Sequence, residues 1–144
     1  MGDKRAALGA AREAAEIRRK LAEAEPAAYL HDFAMSLNNY GVRLAEVGDK
    51  RAALEPVREA TGFYRRLAEA EPAVYLPDLA WSLCTTASIS NVHGIKLTEA
   101  ATAVEEAITI YRALAEQIPE AFNGYLAVAG QTKTEILDQL DSAT

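Results

Sequence analysis

Apolar residues enter this chain at alternating spacings of four and three. Ala10, Ala14, Ile17, Leu21 and Ala24 follow that rule near the start. The spacing gathers them into one stripe along a helix, with the charged residues elsewhere. Ala100, Val104, Ala107, Tyr111 and Leu114 follow it again. The pattern predicts helices over 4–25, 50–71 and 97–117. The stretches between and after them, 27–47, 73–93 and 120–140, read as three more, which makes six helices and no strands. Pro26, Pro72 and Pro119 stop the first helix of each pair and suit the opening turn of the second. Gly48 suits a helix C-cap. Pro77 predicts either a late start near 77–78 or a kink in the fourth helix. Connections of about four to six residues make neighbouring helices antiparallel.

The elements repeat. GDKRAAL at Gly2 returns 46 residues later at Gly48, and LAEAEPA at Leu21 returns at Leu67 with the same offset. Tyr29-Leu30, Asp32 and Ser36-Leu37 recur as Tyr75-Leu76, Asp78 and Ser82-Leu83. A third, diverged copy places Tyr111-Arg112, Leu114-Ala115-Glu116 and Pro119 at an offset of 47 from Tyr64-Arg65, Leu67-Ala68-Glu69 and Pro72. The extra residue falls near Gly94, in a loop, where an insertion costs little. Three units follow, about 2–47, 48–93 and 94–144, in one repeat domain.

The phrase Leu37-x-x-Tyr40-Gly41-x-x-Leu44, followed by Gly48, Ala53, Val57 and Ala60, resembles the tetratricopeptide repeat signature over nearly the whole chain. Leu37 and Leu44 stand where the family carries Trp and Tyr, and the third copy has Thr86-Ala87 for Tyr40-Gly41 and Ser90 for Leu44. The unit exceeds the usual ~34 residues, and with LNNYG it looks more like the long-repeat subfamily of kinesin light chains and bacterial signalling proteins. The resemblance implies an all-α, right-handed superhelical solenoid of helical hairpins that binds a peptide or partner domain on its concave face. An alternative from the same resemblance is the sensor arm of a larger bacterial signalling protein; another, resting on apolar stripes left uncapped at the two ends, is an array that pairs through those ends.

In that family helix A lines the concave face. Carried over by position, this points to Met35, Asn38, Asn39, Val42 and Arg43 (with Glu46) on the second helix. The fourth contributes Trp81, Thr85 and Ser88, beside Cys84 and Asn91, and the last contributes Gln131, beside Val128, Thr132 and Glu135. Asn39 falls where members often hold a peptide backbone through an amide that donates and accepts at once. The surface is neutral, which favours backbone hydrogen bonds with an anchor near Trp81 and Met35. Capture of phosphate or carboxylate would need converging cations, and only Arg43 and Lys133 stand nearby. The chain opens on a helix B and closes on a helix A. Leu8, Ile17 and Leu21 at one end, with Ile136, Leu137 and Leu140 at the other, are therefore expected to be uncapped and available for self-association.

Composition narrows the rest. The formal net charge of −6 over 144 residues argues against nucleic-acid binding. Arg18-Arg19-Lys20 and Arg65-Arg66 are each followed by glutamates, the mark of a solvated helix face. No stretch approaches the ~20 apolar residues of a membrane span, and the opening Met1-Gly2-Asp3-Lys4-Arg5 begins no apolar leader. The expected compartment is the cytoplasm, consistent with a single cysteine, Cys84. Cys84 and His93 are nine residues apart with no orienting acid, so Cys84 is read as a packing residue. His31 occupies the place of Pro77 in the next unit, a helix-start slot. No zinc spacing and no phosphate-cradling loop occurs, so no enzymatic activity, metal or cofactor is expected.

Overall fold

The computed structural model describes residues 2–143, and six α-helices with no strand account for nearly all of them. They are α1 (Gly2–Ala24), α2 (Pro26–Glu46), α3 (Lys50–Ala70), α4 (Pro72–His93), α5 (Leu97–Gln117) and α6 (Pro119–Ser142). Neighbours in sequence pack together: α1 on α2, α2 on α3, and α5 on α6. No helix is long and apolar enough to cross a membrane among the described residues.

The connections are shorter than expected. A single residue joins α1 to α2, α3 to α4 and α5 to α6: Glu25, Glu71 and Ile118. Each precedes a proline, which bars it from the helical region. All three adopt nearly one conformation, with φ between −135° and −138° and ψ between 76° and 79°. Each also donates its backbone N–H to a carbonyl four residues back, Leu21, Leu67 or Leu114, at 2.9 Å. The helix thus ends fully bonded while the proline, with no N–H to satisfy, opens the next one.

The three-residue links between α2 and α3 and between α4 and α5 use glycine instead. Gly48 has φ +87° and Gly94 φ +66°, the left-handed conformation that glycine adopts without strain. Around Gly48 the amide of Asp49 bonds the Leu44 carbonyl, and that of Gly48 bonds Ala45, both at 3.0 Å. This is the Schellman arrangement expected of a glycine C-cap. Ile95 bonds the Ser90 carbonyl in the same way at 3.1 Å. The fourth helix does not start late. It runs from Pro72, and Pro77 lies within it, where its missing N–H removes one intrahelical bond.

The chain divides into two compact units, Met1–Pro72 and Ala73–Thr144, each holding three helices. This division cuts across the second sequence repeat. In the first unit α2 lies against both α1 and α3. Phe33, Ala34, Leu37 and Leu44 of α2 are buried with Ala53, Leu54, Val57, Ala60 and Tyr64 of α3. Phe33 and Phe63 meet with ring centroids 5.4 Å apart. At the crossing sits Gly41. A Cβ there would lie 2.3 Å from Val57 Cγ2 and 2.7 Å from the carbonyl oxygen of Ala53, so only glycine permits this approach.

α1 buries a different stripe from the one its larger residues suggest. Ala11, Ala15 and Ala22 are buried and Arg18 is half-buried, whereas Ala10, Ile17, Leu21 and Ala24 are exposed. Small residues let α1 come close to α2, and its long polar side chains then reach across. Arg18 donates to the Ser36 hydroxyl. Arg12 donates to the Tyr40 hydroxyl at 3.2 Å, and Arg19 lies over the Phe33 ring, 4.7 Å from its centroid.

In the second unit α5 buries Ala100, Val104, Ala107 and Tyr111 as its spacing predicts, with Leu114 half-buried. Tyr111 stacks on Tyr125 with centroids 5.6 Å apart and meets Phe122 at 6.4 Å. Leu79, Ala80, Leu83, Ala87 and Ile89 of α4, Ile108 and Ala115 of α5, and Ala129 and Ile136 of α6 are buried as well.

Candidate functional site

The outer face of α2 gathers Met35, Asn39 and Val42, with Glu46 one further turn along, at spacings of four, three and four. Met35 is 42% exposed, Asn39 is exposed, and Val42 and Arg43 are half-buried. Arg43 donates to both carboxylate oxygens of Glu46, at 2.8 and 3.1 Å. The only cation on this face is therefore neutralised in place, leaving an apolar strip beside a free-standing amide. Asn38 does not belong to it. It is wholly buried, because consecutive helical residues point about 100° apart and only one of the Asn38-Asn39 pair can face outward.

On α4 the same spacing presents Trp81, Thr85 and Ser88. Trp81 is 41% exposed, so this helix carries its largest side chain at the surface. The Thr85 hydroxyl donates to the Trp81 carbonyl at 2.9 Å, Thr85 is half-buried, and Ser88 is exposed. Val92 continues the line and is among the most exposed apolar residues of the chain. It went unremarked in the sequence, although its place eleven residues after Trp81 marks it. Gln131 is exposed on α6, next to the exposed Val128, and donates to Glu135 at 3.5 Å. α4 and α6 are tied by amides. Asn91 donates to Glu135 at 2.8 Å, and Gln139 donates to the Asn91 side-chain oxygen at 2.6 Å and to its backbone carbonyl at 2.9 Å.

The residues expected to be uncapped separate into three groups. Ile17 and Leu21 are exposed, Leu137 likewise, and Leu8 and Leu140 are half-buried. Ile136 is fully buried and is no surface residue. It shares the inner line of α6 with Ala129, seven residues earlier, while Leu137 points a quarter-turn away.

One further concavity lies within the first unit, an open groove of about 640 Å³ lined by Arg19, Tyr40, Leu44, Arg51, Glu55 and Glu59 among others. Arg19 and Glu59 span it from α1 to α3 through paired hydrogen bonds of 3.0 and 3.1 Å. That bonding raises the Arg19 pKa. The lining mixes both charge signs and offers no concentrated field to a charged ligand. It was not legible beforehand because its residues come from three helices.

Cys84 is half-buried, and burial pushes its thiol pKa up to about 11. Burial likewise raises the Tyr111 hydroxyl. The shift is opposite to that of a thiol poised as a nucleophile. Alkylation of Cys84 by iodoacetamide at pH 7.5 is expected to run about 100-fold slower than that of a free cysteine and to speed up about tenfold per pH unit towards pH 11. Mass spectrometry of timed samples measures this, and full labelling within minutes at pH 7.5 would contradict the buried thiol. His31 meets Tyr64 edge-on, with ring centroids 6.1 Å apart, a packing role at the start of α2. Among the described residues no group of three or more His, Cys, Asp or Glu side chains comes together in a way that could hold a metal ion. Searches of family models, curated proteins and solved structures return no significant match to this chain.

Proposed function

We propose that this protein is a non-enzymatic scaffold that holds a protein or peptide on the outer faces of α2 and α4. In this reading the repeated hairpins form a tetratricopeptide-like right-handed solenoid, and α2, α4 and α6 are its helix A elements. The observation that carries the proposal is the outward line Met35–Asn39–Val42 on α2, exposed at Met35 and Asn39, with its repeat-equivalent line Trp81–Thr85–Ser88 on α4, exposed at Trp81 and Ser88. Each helix buries seven residues yet leaves a large flexible or aromatic side chain at the surface next to hydrogen-bonding groups. Exposed Trp and Met beside amides and hydroxyls suit an extended peptide, whose backbone the polar groups bond while its side chains meet the apolar ones. The pairing of Arg43 with Glu46 makes a neutral or apolar peptide a better fit than an acidic one.

Substituting Met35, Asn39 and Trp81 together with alanine is expected to weaken capture of the partner at least tenfold while leaving the melting temperature within a few degrees. Affinity capture from cell extract, read alongside circular dichroism, checks this. Unchanged capture by a folded triple variant would remove these faces from the function.

A further inference from the structure

α1 carries an apolar stripe that nothing in the first unit covers. Ala10, Ala14, Ile17 and Leu21 lie about 100° around the helix from the buried Ala11, Ala15 and Ala22. Ile17 is 53% and Leu21 39% exposed. The internal repeat identifies the stripe as a helix-packing face. In α3 the same positions hold Pro56, Ala60, Phe63 and Leu67, and there α2 meets two of them. Gly41 comes within 3.5 Å of Pro56 by its Cβ position, and Phe33 meets Phe63.

The chain's own helix of the α2 type with a matching exposed face is α6, and it does not fit. α6 has Thr134 where α2 has Gly41, and Gly130 where α2 has Leu37. A Cβ at the Gly41 position meets the carbonyl oxygen of Ala53 at 2.7 Å, and α1 presents the equivalent backbone at Ala7. Thr134 would meet that carbonyl, and Gly130 supplies no side chain to fill the seam. Head-to-tail stacking of α6 on α1 therefore cannot repeat the α2–α3 packing.

The charges bordering the stripe select another occupant. Glu13 and Lys20 are both exposed and lie two turns apart along the same edge of the stripe. When two identical helices pair antiparallel about a two-fold axis, each edge faces its own copy. Glu13 of one copy then meets Lys20 of the other, twice. The same register brings the two Ile17 side chains together near the axis and sets each Leu21 against Ala10 and Ala14 of its partner, large against small.

We infer that two copies of this chain pair through α1, antiparallel, with Ile17 at the centre and reciprocal Glu13–Lys20 ion pairs at the edge. This inference is independent of the partner-binding reading, because it uses none of the residues on the outer faces of α2 and α4. A single helix pair is a small interface, so the dimer is expected to dissociate on dilution.

Light scattering coupled to size-exclusion chromatography of the full chain, over a range of loading concentrations, tests it. The expected mass rises from 15.5 kDa towards twice that value. Glu13→Lys and Lys20→Glu alone should each weaken dimerisation at least tenfold, and the double variant Glu13→Lys/Lys20→Glu should restore it. Both positions are exposed, so circular dichroism should show all three variants folded. Ile17→Cys in a Cys84→Ala background should form a disulfide-linked dimer on mild oxidation. A monomer at every concentration would overturn the inference, as would dimerisation that ignores the charge swaps or is abolished by Leu137→Glu on α6.

Discussion

Gly41→Ala is expected to lower the stability of the protein by about 2 kcal/mol, although alanine is the better helix former by about 1 kcal/mol. The added methyl would sit 2.3 Å from Val57 Cγ2 and 2.7 Å from the Ala53 carbonyl oxygen. Val57 is fully buried, as are Ala53 and Ala60 beside it, so the side chain has nowhere to turn. The carbonyl belongs to the α3 backbone and cannot yield without moving the helix. α2 and α3 must therefore separate, and the Phe33–Phe63 contact loosens with them. In a chain of this size the melting temperature should fall by about 5–8 °C. Trimming the opposing side chain separates the two clashes. In a Val57→Ala background the Cγ2 overlap is gone but the carbonyl one remains, so adding Gly41→Ala should still lower stability relative to Val57→Ala alone. Thermal denaturation followed by circular dichroism measures both variants. A Gly41→Ala protein as stable as the parent would mean that α2 and α3 do not cross at this residue.

Two adjacent residues of α6 provide the second large effect, and a sharp contrast. Ile136→Ala should cost about 3 kcal/mol, the usual loss when a fully buried aliphatic side chain leaves a cavity. Leu137→Ala should cost less than about 1 kcal/mol. Ile136 has no exposure and Leu137 is 42% exposed, a difference that follows from the quarter-turn between consecutive helical residues. Urea denaturation of the two variants gives the comparison directly. Equal losses would mean that α6 is rotated from the orientation described here.

That pair also shows where sequence pattern stops being informative. Ile136 and Leu137 are both large aliphatic residues near the end of the chain, and periodicity alone accepts either as the inner one. Asn38 and Asn39 pose the same problem with polar groups, and burial separates them where chemistry could not. α1 is the clearest case. Hydrophobic spacing favours the line with Ile17 and Leu21, because pattern reading assumes that the larger apolar residues face inward. The packing chooses the neighbouring line of alanines, since small residues permit a close approach to α2 and leave room for Arg12, Arg18 and Arg19 to reach Tyr40, Ser36 and Glu59.

Elsewhere the pattern carried further. α5 buries the stripe read from its spacing, apart from the half-buried Leu114, because its larger residues and its packing face coincide. Pro26, Pro72, Pro119 and Gly48 mark helix boundaries, since each imposes a backbone geometry that does not depend on tertiary context. On α2 and α4 the outward positions Met35, Asn39, Trp81 and Ser88 were legible through the tetratricopeptide resemblance, whereas Asn38, taken with them, is buried. Val92 and the groove beneath the Arg19–Glu59 pair were not legible, the first because it lies at the end of its helix and the second because three helices build it.

The scaffold reading stands or falls on whether the outer face of α2 touches a partner. A photo-activatable cross-linking amino acid placed at Asn39 tests this, with the same group at the exposed Arg66 of α3 as the comparison. After illumination in cell extract, the account predicts one discrete cross-linked species from position 39 that is absent from position 66 and is lost when Met35 and Trp81 are changed to alanine. No adduct at position 39, or the same adducts from both positions, would contradict it.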